Sequence, residues 1–206
     1  LRSKANVISE SVRVNVEADS LNSAVLGPDV DRESDTYDLF LREVARDMTQ
    51  KAGQKCTAIR RILVPKDMLD EVREDLINEL SGIRAGNPTE KGVRVGPLAT
   101  AGQLRDAKEG LERLSGCTKM VYGDGGRGNL AGIDHDKGYF MSPVLLEAED
   151  ARSAAIHDRE IFGPVSTILP YDGTAEEAAE LLGMGQGSLV SSIYSDKSSF
   201  SLEMVE

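Results

Sequence analysis

The stretch Gly53-Gln54-Lys55-Cys56-Thr57-Ala58 places a thiol where a helical pattern has just run out and strand-like residues are about to begin. Backbone N–H groups at such a junction lack regular partners. They can hold a thiolate and, later, an oxyanion, so Cys56 is a candidate nucleophile. Lys55, Arg60 and Arg61 add positive charge that favours the thiolate. The alternative is a small buried hydrophobe, the usual state of a free cysteine. Glu17 closes the alternation Val12, Val14, Val16. An acid on the inward phase of a strand would be desolvated, as a general base requires. Counting by two puts Glu17 on the other phase, which reads as an exposed acid at a strand end. Glu160-Ile161-Phe162-Gly163-Pro164-Val165 joins an acid and an aromatic ring to a Gly-Pro break before a strand. That turn either aims Glu160 and Phe162 at a ligand or simply leads the chain into the strand.

Other chemistry-bearing residues carry less. Gly123–Gly128 and Gly183–Gly187 are rich in glycine, but neither runs from a strand pattern into a helix pattern as a dinucleotide fingerprint must. Both read as flexible loops. His135 lies between two aspartates and reads as solvated. His157 has no neighbour in sequence that marks it as a partner for a thiol, and Cys117 follows Gly116 at a helix end as a structural residue. Two cysteines and two histidines this far apart give no zinc spacing, and they make neither a CxxC pair nor a disulfide framework. That usage favours a reducing cytoplasm.

The elements that must position these residues alternate between strand and helix patterns, which predicts an α/β domain. Strands are expected around Val12–Val16, Ser23–Leu26, Arg61–Val64, Lys119–Tyr122, Val144–Leu146, Val165–Leu169 and Leu189–Tyr194. Helices are expected from about Tyr37 to Lys51, with Ser34 or Asp35 as cap, and over the apolar faces Leu69–Ile83 and Leu104–Leu114. Arg84–Ala99 is a turn-rich connection, and Thr174 with Glu177 reads as a capping box.

Composition agrees. The chain has 206 residues, 40% hydrophobic, 4% aromatic and without tryptophan, which is ordinary for a globular domain. With 24 basic and 35 acidic residues the net charge is −11, the wrong sign for gripping a phosphate backbone, so no nucleic-acid partner is expected. No stretch approaches the ~20 apolar residues of a membrane span, and no membrane partner is expected. No secretion leader opens the chain. It begins at Leu1 rather than Met and reads as a piece of something longer.

Taken together, these motifs resemble the catalytic half of the aldehyde dehydrogenase family. Gly53–Ala58 is similar to its G-Q-x-C-x-A nucleophile motif, and Glu160–Val165 to its E-I-F-G-P-V motif. Gly86-Asn87-Pro88 with Val95-Gly96-Pro97-Leu98 resembles its G-x-P…G-P-L connection. One stretch departs. The family's Leu-Glu-Leu-Gly-Gly-Lys corresponds to Val16-Glu17-Ala18-Asp19-Ser20-Leu21, which keeps the acid and loses the glycines. With Lys51–Arg61 and Gly185–Leu189, this variant resembles the dehydrogenase domains of phenylacetate-degradation ring-opening proteins. It also resembles dehydrogenases of aerobic benzoyl-CoA breakdown.

The resemblance implies a mostly parallel sheet with flanking helices, truncated at both ends over residues 1–206. It implies Cys56 as nucleophile, Glu17 as general base, and Glu160 and Phe162 at the nicotinamide of NADP or NAD. It implies an aldehyde substrate carried on a coenzyme A thioester, and a homo-oligomer in the full-length protein. Without a nucleotide-binding domain, the isolated chain is expected to be inactive. Two rivals use the same residues differently: a cysteine acyltransferase or hydrolase pairing Cys56 with His157, and an inactive scaffold whose Cys56 is buried and inert.

Overall fold

Four strands of this chain are apolar on consecutive residues, and both faces of the sheet they form are covered by helices. A computed structural model describes residues 2–134 and 137–205. His135 lies outside them. In chain order the elements are α1 (Ala5–Ser9), β1 (Ser23–Leu26), α2 (Asp35–Thr49), β2 (Arg61–Pro65), α3 (Leu69–Ser81), β3 (Arg84–Gly86), β4 (Val93–Val95) and α4 (Ala101–Leu114). Then follow β5 (Thr118–Tyr122), β6 (Leu130–Ala131), β7 (Val144–Ala148), α5 (Ala154–Asp158), β8 (Val165–Tyr171), α6 (Ala175–Gly183), β9 (Ser191–Tyr194) and α7 (Ser198–Glu203).

The main sheet runs β5-β7-β8-β2-β1-β9. Every pairing in it is parallel except β5 with β7. Parallel strands need both faces covered, and successive side chains go to opposite layers. Ala24, Leu26, Ile62, Val64, Leu145 and Ile168 pack with Phe40, Val44 and Met48 of α2 and Val72, Leu76 and Leu80 of α3. Val25, Leu63, Val144, Leu146, Val165 and Leu169 form the opposite layer with Ala107 and Leu114 of α4 and Ala178 and Leu181 of α6. The expected α/β architecture, with a mostly parallel sheet and flanking helices, is what the structure shows. A smaller sheet, β4-β3-β6, arises inside the turn-rich connection and its partner loop.

Local signals act as expected at most ends. The Ser34 hydroxyl accepts from Tyr37 N at 3.2 Å and starts α2. Thr174 Oγ1 accepts from Glu177 N at 3.2 Å, but Glu177 reaches back to Asp172 N rather than to its own cap, whose N–H is held by Asp172 Oδ1. The capping box is therefore half formed. The strand expected at Val12–Val16 is absent. Val12 and Val16 are 52% and 64% exposed, and no described strand pairs with them. Alternation shows that a stretch can be a strand; only a neighbouring ladder makes it one.

A buried tyrosine ties the centre of the sheet together. Tyr171, at the end of β8, donates its hydroxyl to Leu26 O of β1 at 2.7 Å, reaching past β2. Burial pushes its phenol pKa well up. Tyr171→Phe is expected to cost about 1 kcal/mol, the net worth of one buried hydrogen bond, read from the urea midpoint at unchanged slope.

Candidate active site

The turn that carries Cys56 begins with a reversal of backbone hand. After α2 the chain passes through Lys51 (φ 55°), Ala52 (φ 54°) and Gly53 (φ 72°), all left-handed. Left-handed non-glycine residues are costly and persist only where surrounding packing holds them. At Gly53 the reason is visible: a Cβ there would lie 2.2 Å from Gly163 O. The backbones of the cysteine motif and the Gly163-Pro164 motif touch directly, and only glycine permits it. Gln54 extends the contact. Its Nε2 donates to Phe162 O at 3.4 Å, and its Oε1 accepts from Ala99 N at 2.9 Å, just past Gly96-Pro97-Leu98. One side chain thus links all three stretches.

Cys56 itself sits in a turn closed by Ala58 N donating to Lys55 O at 3.0 Å. The thiol is exposed. Among the described residues, no acceptor takes the Cys56 N–H. Asn22, fully buried, pins the turn from behind: its Nδ2 donates to Cys56 O at 2.8 Å and to Ala58 O at 3.1 Å. Its Oδ1 accepts from Ser20 Oγ, Leu189 N and Val190 N, so it is satisfied on every side. Nothing in the sequence singles out Asn22, because its partners lie too far along the chain for spacing to reveal.

The positive charge expected around the thiol is committed elsewhere. Lys55 pairs with Asp47 at 2.9 Å. Arg61 is 1% exposed and donates to Leu21 O, Leu181 O, Leu182 O and Ser188 Oγ. Arg60, 4% exposed, grips three partners: Nε and Nη2 lie 2.8 Å from Glu160 Oε1, Nη1 donates to Gly163 O at 2.7 Å, and Nη2 to Gly53 O at 2.6 Å. It also lies 5.8 Å from the Phe162 ring centre. Burial raises the Glu160 carboxyl above its ordinary range, and Arg60 pulls it back. In the sequence Arg60 is only one of three nearby positive charges, because its partner lies a hundred residues on.

Glu17, Cys56, Glu160 and Phe162 all line one cleft of about 670 Å³. Its far wall is α4, where Gly110 lets the Ile161 side chain dock against the helix. Glu17 is exposed on an irregular segment, so the strand that would have fixed its phase does not exist. Glu17 nonetheless lines the same cleft as Cys56. His157 is not among the lining residues. Its Nδ1 accepts from Arg61 Nη1 at 3.0 Å, so its Nε2 carries the proton and donates to Ala151 O at 2.7 Å. Burial lowers its pKa, and no lone pair is left for a thiol. Cys117 donates to Leu114 O at the end of α4, as a structural residue does. Gly123–Gly128 joins β5 to β6, and Gly183–Gly187 joins α6 to β9, so neither loop opens a helix.

Comparison with known proteins sets this cleft in a family. The aldehyde dehydrogenase family model matches residues 3–206. A 3,4-dehydroadipyl-CoA semialdehyde dehydrogenase from Aromatoleum evansii is 42% identical over the whole of this chain, which spans 40% of that protein's length. A geranial dehydrogenase from Castellaniella defragrans is 29% identical over 88% of the chain and 35% of its own length. Among solved structures, betaine aldehyde dehydrogenase from Staphylococcus aureus superposes with a TM-score of 0.84 at 21% identity, over 97% of this chain and 38% of that one. The family model spans nearly the whole of the chain, and the chain belongs to the aldehyde dehydrogenase family.

Proposed function

We propose that this chain is the nucleophile-bearing domain, truncated at both ends, of a longer NAD(P)-dependent aldehyde dehydrogenase. In this reading the complete enzyme is a cytoplasmic homo-oligomer without nucleic-acid or membrane partners. It oxidises an aldehyde carried on a coenzyme A thioester to the carboxylic acid during aromatic breakdown of the phenylacetate type, using NADP. The observation that carries the reading is the convergence of Cys56, Glu17, Glu160 and Phe162 on one cleft. The 42% identical relative, named for a CoA-linked semialdehyde, supports the substrate class and leaves a benzoyl-CoA-type semialdehyde as the alternative.

The residues present fit the nicotinamide end of a dinucleotide. Phe162 offers a ring 38% exposed, and Glu160 offers carboxylate oxygens suited to ribose hydroxyls. The dinucleotide, when bound, supplies the hydride acceptor. In this mechanism the Cys56 thiolate attacks the aldehyde carbon to form a thiohemiacetal. The free N–H of Cys56 donates to the developing oxyanion. Oxidation leaves an acyl thioester on Cys56. Glu17 then takes a proton from water, which attacks that thioester and releases the acid and the thiol.

The test is substrate-resolved turnover by the complete enzyme. With 3,4-dehydroadipyl-CoA semialdehyde, the absorbance of reduced dinucleotide is expected to rise, faster with NADP than with NAD. The same aldehyde freed of coenzyme A is expected to react at least ~10-fold less efficiently, since binding energy from remote parts of a substrate serves the reacting centre. Equal efficiency for free and CoA-linked aldehydes would remove the thioester from the proposal. No reduction with any aldehyde would remove the oxidoreductase.

A further inference from the structure

We propose that Arg60 and Asp19 are positioning residues that hold Glu160, Arg60 by its carboxylate and Asp19 by its backbone N–H, at a fixed place relative to the nucleophile turn. The inference rests on the reading of Glu160 as the ribose acceptor and deepens it.

Three observations carry it. Glu160 Oε1 is taken by Arg60, and Oε2 accepts Ser20 N at 3.2 Å, which leaves an Oε2 lone pair for a ligand. The Glu160 backbone is held as well: its N–H donates to Asp19 Oδ1 at 2.9 Å and Oδ2 at 3.1 Å, while Asp19 Oδ1 also accepts Ser20 N at 3.0 Å. The Arg60 guanidinium that grips the carboxylate also grips Gly53 O and Gly163 O. One rigid planar group therefore references the carboxylate to the backbone three residues before Cys56. A glutamate normally loses rotamer freedom when it binds a ligand; here that freedom is already lost in the free protein. Asp19 stands where the resembled stretch has a glycine, so the clamp belongs to the same departure that loses the glycines around Glu17.

The test uses the complete enzyme and separates dinucleotide KM from kcat at saturation. Glu160→Gln is expected to raise the KM for NADP about tenfold, the worth of one charge-assisted bond. Asp19→Ala and Arg60→Lys are expected to raise it severalfold with kcat nearly unchanged, and Arg60→Met to raise it further. In dinucleotide KM, Arg60→Met combined with Glu160→Gln is expected to be no worse than Glu160→Gln alone, because Arg60 acts on the dinucleotide only through Glu160. Asp19→Ala and Arg60→Lys keep the test valid if Arg60→Met does not fold. A fall in kcat or thermal midpoint at unchanged KM in these two would assign Arg60 and Asp19 to backbone support and overturn the inference. Additive losses in the double variant would do the same. An unchanged KM in Glu160→Gln would instead overturn the ribose reading, and the inference with it.

Discussion

Replacing Cys56 by alanine is expected to lower aldehyde oxidation by the complete enzyme roughly 10⁴-fold or more, because removing a covalent nucleophile removes the whole acyl-enzyme route. The expected loss is in kcat and not in dinucleotide KM. The thiol projects from an exposed turn whose backbone is pinned by Asn22 on one side and by the Gly53–Gly163 contact on the other. Neither constraint involves the sulfur, so the alanine variant keeps its turn and its cleft. The parent is also expected to lose activity in step with alkylation of one residue by iodoacetamide, an alkylation that the variant lacks. Equal turnover by parent and variant would take Cys56 out of the chemistry. The scaffold rival requires a buried, inert thiol, and Cys56 is exposed. The hydrolase rival requires a base beside the sulfur, and both nitrogens of His157 are engaged with Arg61 and Ala151.

Much of this arrangement was legible before the structure, for a physical reason. Helices α2, α3 and α4 have long apolar faces, and their periodicity is set by burial against the sheet. Strands β1, β2, β7 and β8 are buried on both faces, so they read as short apolar runs between breakers. Cys56, Glu160 and Phe162 sit beside glycine and proline junctions, which are local signals. What was not legible is what depends on partners distant in sequence. Val12–Val16 has a strand's alternation and no ladder to join. β3, β4 and β6 are two or three residues long, below the length at which alternation can be recognised. Arg60 reads as local positive charge, yet its charge is spent on a carboxylate a hundred residues away. Asn22 carries no local signal, yet it ties the cysteine turn to the segment before β9. The Gly185 loop reads as flexible, yet its glycine is the reason a buried guanidinium fits beneath it.

That guanidinium is the second large effect. Arg61 projects from the start of β2, is 1% exposed, and has no acidic partner among its hydrogen bonds. Its charge is met instead by backbone dipoles: Leu181 O at 2.8 Å and Leu182 O at 3.2 Å lie in the last turn of α6, at the end of the helix that carries partial negative charge. Leu21 O at 2.9 Å and His157 Nδ1 at 3.0 Å complete the cage. Burial lowers the Arg61 pKa to about 10, so the group remains charged at neutral pH. A Cβ on Gly185 would lie 2.3 Å from Nη2, so only glycine leaves room for the fork. Arg61→Met keeps the stem's apolar contacts and strands Leu181 O and His157 Nδ1, while Leu182 O keeps the Gly185 N–H and Leu21 O keeps the Ser188 hydroxyl. With two buried acceptors left unmet at about 1–3 kcal/mol each, the expected loss is about 2–5 kcal/mol, or roughly 10 °C in Tm for a chain of this size. Arg61→Lys is expected to recover only part of it, since one ammonium cannot span acceptors arranged for a planar fork. Gly185→Ala is expected to destabilise by pushing the same guanidinium aside, and with Arg61→Met already present it is expected to cost little more. Chemical denaturation of the four variants checks this, with raised salt as a control, because a buried cage is poorly screened. A loss under about 1 kcal/mol for Arg61→Met would mean that water reaches these carbonyls and that the cage contributes nothing beyond solvation.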